Sequence, residues 1–533
     1  MKRTLAILLA ASLVLGLCAC GSSSSSSTDT TSAETTAAQA ESAGETTSSD
    51  TSSTGETKNS VVVQNSADPG DLPPFNNMQA ATNRIKVNNI YESLYMIGYD
   101  NELTPMLATE YEWQDNTHLA VTLREGVLFH DGTEMTAEDV VYSYQQCAQS
   151  TAYTKYTANV DVDNIEVVDD YHIVLPLTSE DYSAIYDVLC VFIVPENAME
   201  DYDMANNPIG TGPYMLTDWV SGSTITLSAF EDYWGGENAG IDTITFRVIT
   251  ESAQRVIELE TGGVDYVYDL AGSDAERLEE EDGYTVEEIA TNKNSVLFFN
   301  TTETSVLSSK ELRQAICYAI DAEAICHAVY NDLSVPSYTY FPAAFAEFDE
   351  SWFDGYLYPV DTEKAKELVE ASGVTDLNLT VIVDEDSTRQ AIAQIVQAEL
   401  MEIGITLTIE NYETATYSSM LGDLSGTWDM FFGNINVPSG DALSGADAQL
   451  DNTDINRSGY QNDELQSLIM EGLQTYEAED RIPIIQQIVE IYNENVPFYT
   501  IADLTDVQAH VSNLKGYQTW SSSQVRWFDM YFE

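Results

Sequence analysis

An α/β fold is predicted for this 533-residue chain by three observations. Apolar stripes at helical spacing are interleaved with short runs of alternating residues, the two periodicities of helix and strand. One stretch joins them directly: Ile392, Ile395, Val396, Leu400 and Ile403 share a helical face, Gly404 stops the helix, and Ile405, Leu407 and Ile409 then alternate as a strand. A helix, a tight turn and a strand in succession are the expected unit of an α/β lobe. Finally, 44% of residues are hydrophobic and 10% aromatic, far too much apolar material for a disordered acidic chain. At roughly 100–200 residues per domain, the length suggests about two to four globular units or one large two-lobed body.

The first twenty residues read as a secretion address, with Lys2 and Arg3 ahead of a thirteen-residue apolar run over 5–17 that is too short to span a bilayer comfortably. Leu17-Cys18-Ala19-Cys20-Gly21 resembles a bacterial lipobox, making Cys20 the candidate lipidated residue; an ordinary signal peptide with incidental cysteines is the alternative. Residues 21–59 are Ser, Thr, Ala, Gly and Glu with hardly a core-forming side chain, and read as a disordered tether whose 39 residues would reach about 35 Å.

Further on, 120–124 and 165–177 alternate as strands, the latter split into a hairpin by Asp169-Asp170. Thr136 and Asp139 resemble a capping box, opening a helix with Val140, Val141 and Tyr144 on one face. Ser308 and Glu311 predict another cap, ahead of a stripe of Leu312, Ala315, Ile316, Ala319 and Ile320. Asp361 caps a helix running to Gly373. Two last helices are expected over 463–474 and 480–493, with Pro483 tolerated in the first turn of the second. No repeat of fixed period is present.

Charge excludes several functions. With 20 Lys+Arg against 88 Asp+Glu, the formal net charge is −68, and residues 61–533 alone carry 82 acidic and 17 basic side chains. Nucleic acid is excluded as a partner because phosphate binding needs clustered cations, and anionic membrane surfaces are disfavoured by the same repulsion. Cys147, Cys190, Cys317 and Cys326 form no CxxC pair, so neither a zinc site nor a disulfide framework is indicated; Cys317 and Cys326 read as buried helical thiols. His118, His130, His172, His327 and His510 lack metal-ligand spacing, so no metal, cofactor or catalytic residue is expected. Carboxylates are too abundant for an acid pair to carry meaning. Gly210-Thr211-Gly212-Pro213-Tyr214 lacks the Lys of a phosphate loop and reads as a structural turn.

The order of several plain segments carries more information. Pro105 to Ala108, Trp113, Leu123 to Val127, Phe129-His130-Asp131-Gly132 and Thr136 to Val140 closely resemble the signature of extracytoplasmic solute-binding proteins of family 5, the dipeptide, oligopeptide and nickel group serving ABC importers. Gly210 to Tyr214, Tyr233-Trp234-Gly235, Phe299-Asn300, Leu312 to Ile316 and Asn495-Val496-Pro497 follow in the family's order, so that the resemblance covers residues 85–533. It implies a two-lobed periplasmic-binding-protein-like fold (type II, cluster C) with an extra subdomain at about 92–206 in the first lobe. The first lobe would run over 60–291, the second over 292–501, and the chain would return to the first over 502–533. It further implies a monomeric, non-enzymatic receptor outside the cell, held to the membrane by its lipid anchor alone, that captures a peptide or similar small solute for an ABC permease. A receptor for a nickel chelate or oligosaccharide, and a secreted hydrolase, remain as alternatives.

Ligand recognition is where the chain departs from the family. Dipeptide binders usually follow a Tyr/Trp-Asp strand with Gly-Trp and an Asp that fixes the ligand's amino group. Here Trp428-Asp429 leads to Gly433-Asn434-Ile435-Asn436-Val437, with Asn436 or Val437 in place of that Asp and Asp441 matching a later one. Lost charged anchors imply a changed ligand class or main-chain recognition, since a buried charge without its partner costs several kcal/mol. By the resemblance, the pocket draws on Asp68, Pro69 and Gly70 after the first strand and on Asn300 at the lobe junction. It also draws on Gly433, Asn434, Ile435 and Asn436 with Asp441, and on aromatic Tyr412, Trp428 and Trp520, for which plain core packing is the alternative.

Overall fold

In the computed structural model, residues 58–99, 101–425, 427–450, 456–518, 520–522 and 524–533 are described. Cys20 and nearly all of the expected signal and tether lie outside them, but Lys58 and Asn59 are fixed to the body, by an ion pair from Lys58 to Asp265 (2.5 Å) and a bond from Asn59 Nδ2 to Asp242 (2.6 Å).

Among the described residues, eleven strands form one mixed sheet. In chain order they begin with β1 (Ser60–Asn65), β2 (Tyr214–Val220), β3 (Thr224–Ala229), β4 (Thr243–Val248), β5 (Tyr266–Val267) and β6 (Tyr284–Phe299). They continue with β7 (Val335–Pro336), β8 (Asn378–Val383), β9 (Thr406–Asn411), β10 (Met430–Asn436) and β11 (Phe498–Val511). Their spatial order is β9-β8-β10-β6-β11-β5-β1-β4-β3-β2, with β7 on β11. The antiparallel pair β6 and β11 lies in the middle, so the same two strands serve both ends of the sheet.

Two large cores flank that pair. One draws its buried residues from 296–502, the other from 61–268 and 514–532. The sequence of β6 explains the division. Val296 to Phe299 at its C-terminal end are fully buried apolar residues, whereas residues 291–295 are all polar and mark where one core gives way to the other. A four-stranded antiparallel sheet, in the order Ala108–Asp115, His118–Leu123, His172–Pro176 and Glu166–Asp169, adds to the second core and includes the expected hairpin.

Local chemistry sets the helices. Asp139 Oδ2 accepts from the Thr136 N–H (2.7 Å) at the start of Ala137–Gln149, and Asp361 Oδ1 accepts from the Lys364 N–H (2.9 Å) at the start of Thr362–Ser372. Ser387–Glu402 ends just before Gly404, whose φ of 85° an L side chain rarely adopts, and β9 follows. Two expectations are corrected. The cap of Lys310–Ala319 is Ser309, which accepts from the Leu312 N–H (3.3 Å), because Ser308 turns its hydroxyl to the Ser305 carbonyl instead (2.7 Å). The last helix begins at Ala478, two residues early, which places Pro483 beyond the first turn. Cys147, Cys317 and Cys326 are buried free thiols.

The Gly210 to Tyr214 segment packs backbone on backbone. A Cβ on Gly210 would lie 2.0 Å from the Ile90 carbonyl oxygen, and one on Gly212 would lie 2.3 Å from that of Asn89. Beneath it the fully buried Glu92 accepts from Thr211 Oγ1 (2.9 Å), Tyr233 Oη (2.6 Å) and Trp234 Nε1 (2.8 Å), so two of the signature segments converge on one carboxylate.

Candidate functional site

A cavity of about 260 Å³ lies between the two cores. Its first wall is Met78, Asn83 and Val87, on and around the helix Ala80–Lys86. A second is apolar, with Tyr153, Tyr156 and Phe192. Asn292 and Lys293 of β6, Asn436 at the end of β10, and Trp520 of the C-terminal segment close it.

Backbone irregularity aims the polar groups. The β6–β11 register shifts between Ala290 and Asn294, which frees Thr291, Asn292 and Lys293 from pairing with β11. Such bulges bend a strand and redirect its side chains. Thr291 Oγ1 ties the bulge to the Leu504 carbonyl (2.6 Å). On the other edge Lys293 stands opposite Asn436 in the β6–β10 register, so their side chains share a face. Lys293 Nζ donates to Asp506 Oδ2 at 2.7 Å, with both side chains partly exposed.

Buried cations hold the walls. Lys86 has no solvent exposure; its ammonium donates to the carbonyls of Asn76 (2.9 Å), Asn77 (3.1 Å), Pro73 (3.3 Å) and Pro74 (3.4 Å) and lies 4.9 Å from the Tyr153 ring centroid. Burial pulls its pKa down to about 7, against the opposing charge of Asp71. Arg84 makes a two-bonded pair with Asp269 (2.9 and 2.6 Å) and stacks on Tyr268. Cys190 also lines the cavity, but burial pushes its thiol up to about 12, so it offers no thiolate nucleophile near neutral pH.

Beside the cavity the two halves touch. Asn101 Nδ2 donates to the Ala344 carbonyl (3.1 Å), its Oδ1 accepts from Asn292 (3.2 Å) and Ser521 (2.5 Å), and its side chain fills the space over Gly440. The Tyr182 N–H donates to the Leu473 carbonyl (2.8 Å). Arg481 is buried between Asp441 (2.5 Å) and Ser183 Oγ (2.6 Å). Burial and the neighbouring Asp441 charge raise the Asp181 carboxyl to about 6 and that of Glu347 to about 7.

Of the residues expected from sequence, Asn436 and Trp520 line this cavity. Ile435 faces the core, Asn434 is exposed two residues before Asn436, and Gly433 lies beside Phe431 and Phe298. Asp441 is spent on Arg481. Asp68 accepts from Gly70 N–H (3.1 Å) and Ser221 Oγ (3.0 Å), and the Pro69 carbonyl accepts from Asn77 (2.9 Å). Gly70 borders a separate surface hollow with Trp219. Asn300 and Trp428 lie just beyond the far ends of β6 and β10, seven and eight residues from Lys293 and Asn436, or about 25 Å at the strand rise. There Asn300 Nδ2 donates to the Trp428 carbonyl (3.3 Å), and the buried Trp428 donates to the Met420 carbonyl (3.0 Å). Tyr412 bonds its near neighbour Glu410 (2.6 Å) after the edge strand β9.

Lys293, Tyr153, Tyr156, Phe192 and Met78 were not singled out by sequence reasoning. The polar run over 291–295 inside a long strand is a signal for Lys293; Phe192 has none. No group of three or more His, Cys, Asp or Glu among the described residues is placed to hold a metal ion. The described lining supplies packing surface, amides, hydroxyls and the paired ammonium of Lys293, groups that suit holding a small solute.

The sequence matches the family of bacterial extracellular solute-binding proteins, family 5 (middle), over residues 102–457. It is 24% identical over 476 residues to the glutathione-binding protein GsiB of Salmonella typhi, covering 86% of this chain and 91% of that protein. Among solved structures, AppA from Clostridium difficile superposes with a TM-score of 0.79 at 23% identity, covering 89% of this chain and 100% of the other. DppA from Helicobacter pylori, in complex with the peptide STSA, superposes with a TM-score of 0.75 at 24% identity, covering 89% and 98%. These likenesses establish the type II periplasmic-binding-protein fold.

Proposed function

Because the chain belongs to the bacterial extracellular solute-binding proteins of family 5, we propose that it is a lipid-anchored receptor that captures a peptide or similar small solute between its lobes and delivers it to an ABC permease. The observation that carries this reading is the cavity itself: its walls come from both sides of the β6–β11 pair and from the C-terminal segment, so an occupant touches every part whose relative position closure would change. Cys20 in its lipobox-like context and the following Ser/Thr-rich tether support anchoring at the outer face of the membrane. Family members are substrate-binding proteins, and among the described lining residues there is no thiolate or acid–base pair that would favour turnover.

Native mass spectrometry of the protein isolated from its own cells tests the reading. Wild type is expected to carry a dissociable adduct of small-solute mass, and Asn436→Ala, at an exposed position, to lose at least ten-fold in affinity for the recovered solute while its melting temperature stays within a few degrees. Chemical conversion of the solute, or the absence of both adduct and ligand-dependent melting shift across a dipeptide and oligopeptide panel, overturns it.

A further inference from the structure

We propose that the cavity selects a compact, largely apolar solute that bears a carboxylate but no free ammonium, of which an N-acylated dipeptide is the simplest member, with Lys293 and Asn436 taking the carboxylate. The inference rests on the reading of this cavity as the binding site and narrows the class of solute it takes.

The chain has 88 carboxylates, yet among the described residues that line the cavity there is no Asp or Glu. The acid nearest in sequence to the β10 end, Asp441, is buried against Arg481, and Asp506, which pairs with Lys293, is not among the lining residues. An ammonium brought into such a site gives up its hydration without a counter-charge, at a cost of several kcal/mol. The ionised group that does line the cavity is Lys293. Its ammonium has three donors; Asp506 takes one, and the side chain is 30% exposed, so donors remain for an incoming anion. Asn436, exposed and directly across the β6–β10 ladder, brings a side-chain amide to the same face. Lys293 and Asn436 thus stand side by side on the wall of a cavity whose other polar lining is uncharged, Asn83, Asn88 and Ser93 among it, and whose aromatic side chains, Tyr153, Tyr156, Phe192 and Trp520, give an apolar body a surface to pack against.

Four forms of one dipeptide separate the charges: Ala-Phe, N-acetyl-Ala-Phe, Ala-Phe amide and N-acetyl-Ala-Phe amide, each titrated calorimetrically into the full-length protein freed of endogenous ligand. N-acetyl-Ala-Phe is expected to bind at least ten-fold more tightly than Ala-Phe and ten-fold more tightly than its own amide. Lys293→Met should remove the preference for acid over amide, and Lys293→Arg should keep it. Asn436→Asp, which supplies the absent carboxylate at an exposed position, should shift the preference toward Ala-Phe and remains informative if Lys293→Met does not fold. Ala-Phe binding as tightly as its acetylated form, or an acid-to-amide ratio unchanged in Lys293→Met, overturns the inference while leaving the receptor reading intact. Failure of all four to bind overturns the inference as well, while the receptor reading stands or falls on the adduct and on the dipeptide and oligopeptide panel.

Discussion

Glu92 has no solvent exposure and accepts three side-chain hydrogen bonds, from Thr211, Tyr233 and Trp234. Burial raises its pKa, an effect that the three donors and Arg526 oppose. Its donors sit on turns that no regular element holds, so the close approach of Gly210 and Gly212 to the 89–90 backbone is what brings Thr211 within reach. Gly212→Ala would force its Cβ against a carbonyl that cannot swing aside, and is expected to cost about 3 kcal/mol, read as a lowered urea midpoint. Gly283→Ala, where nothing lies within 4 Å, is the control and should shift the midpoint little. An unchanged midpoint in Gly212→Ala would mean the turn yields freely. At this scale sequence shows residue identity well and direction poorly. The motif residues are legible because their chemistry is local, whereas Asn300 and Trp428, placed in the pocket by the family resemblance, lie about 25 Å by strand rise from Lys293 and Asn436 of this cavity. Asp441 was legible as an acid but not as one already paired, since Arg481 is forty residues away.

The elements that sequence patterning identified are those whose signals are local: caps by Asp361 and Asp139, the Gly404 stop, and the hairpin broken at Asp169-Asp170. The β6 bulge was not legible, because a register shift depends on the partner strand and leaves no mark on the apolar period. The start of Ala478–Asn495 was also missed, and that helix carries Arg481 into the contact between the halves. There the guanidinium faces Asp441 and Ser183, with Asp181 and Glu347 close enough to feel its charge. Arg481→Ala would leave Asp441 buried and unpaired, at about 3–5 kcal/mol, whereas Arg481→Met combined with Asp441→Leu should recover most of that loss because two apolar groups need no counter-charge. Denaturant midpoints for the single and double variants measure the coupling, and simple additivity of the two single effects would show that the pair does not act as one unit.

Over the whole molecule, acidity and burial act together. Besides Asp181 near 6 and Glu347 near 7, burial raises Glu399 and Asp503 to about 7, although Asp503 accepts from Asn294 (2.7 Å), Ser337 (2.5 Å) and the Ala343 N–H (2.8 Å). Carboxyls in the unfolded chain titrate near 4, so between about pH 4 and pH 7 the native state binds more protons at these four sites than the unfolded state does. Their contribution is therefore fully present below about pH 4 and is lost as pH rises through 6 and 7. His130 acts in the opposite sense: burial lowers it to about 4, so its contribution is present above about 6.5 and is lost as pH falls through 4. Asp384, held below its usual range by Arg389, likewise loses its contribution on acidification through that lowered pKa. Self-repulsion at a net charge of −68 adds to the first trend, since it eases as carboxylates take up protons. Lys86, lowered by burial to about 7, also works against the fall, because above that pH the unfolded chain holds a proton there that the native state has lost. Four carboxyls and the net charge against this one ammonium and one imidazole in the window from pH 5 to pH 8 give a melting temperature that falls as pH rises, by at least about 5 °C. Glu399→Gln, which keeps an acceptor for the Asp321 N–H while removing the ionisation, should make that fall shallower. Scanning calorimetry in matched ionic strength decides the matter: a melting temperature that is level or rising from pH 5 to pH 8 would show that these carboxyls do not stay protonated in the folded protein.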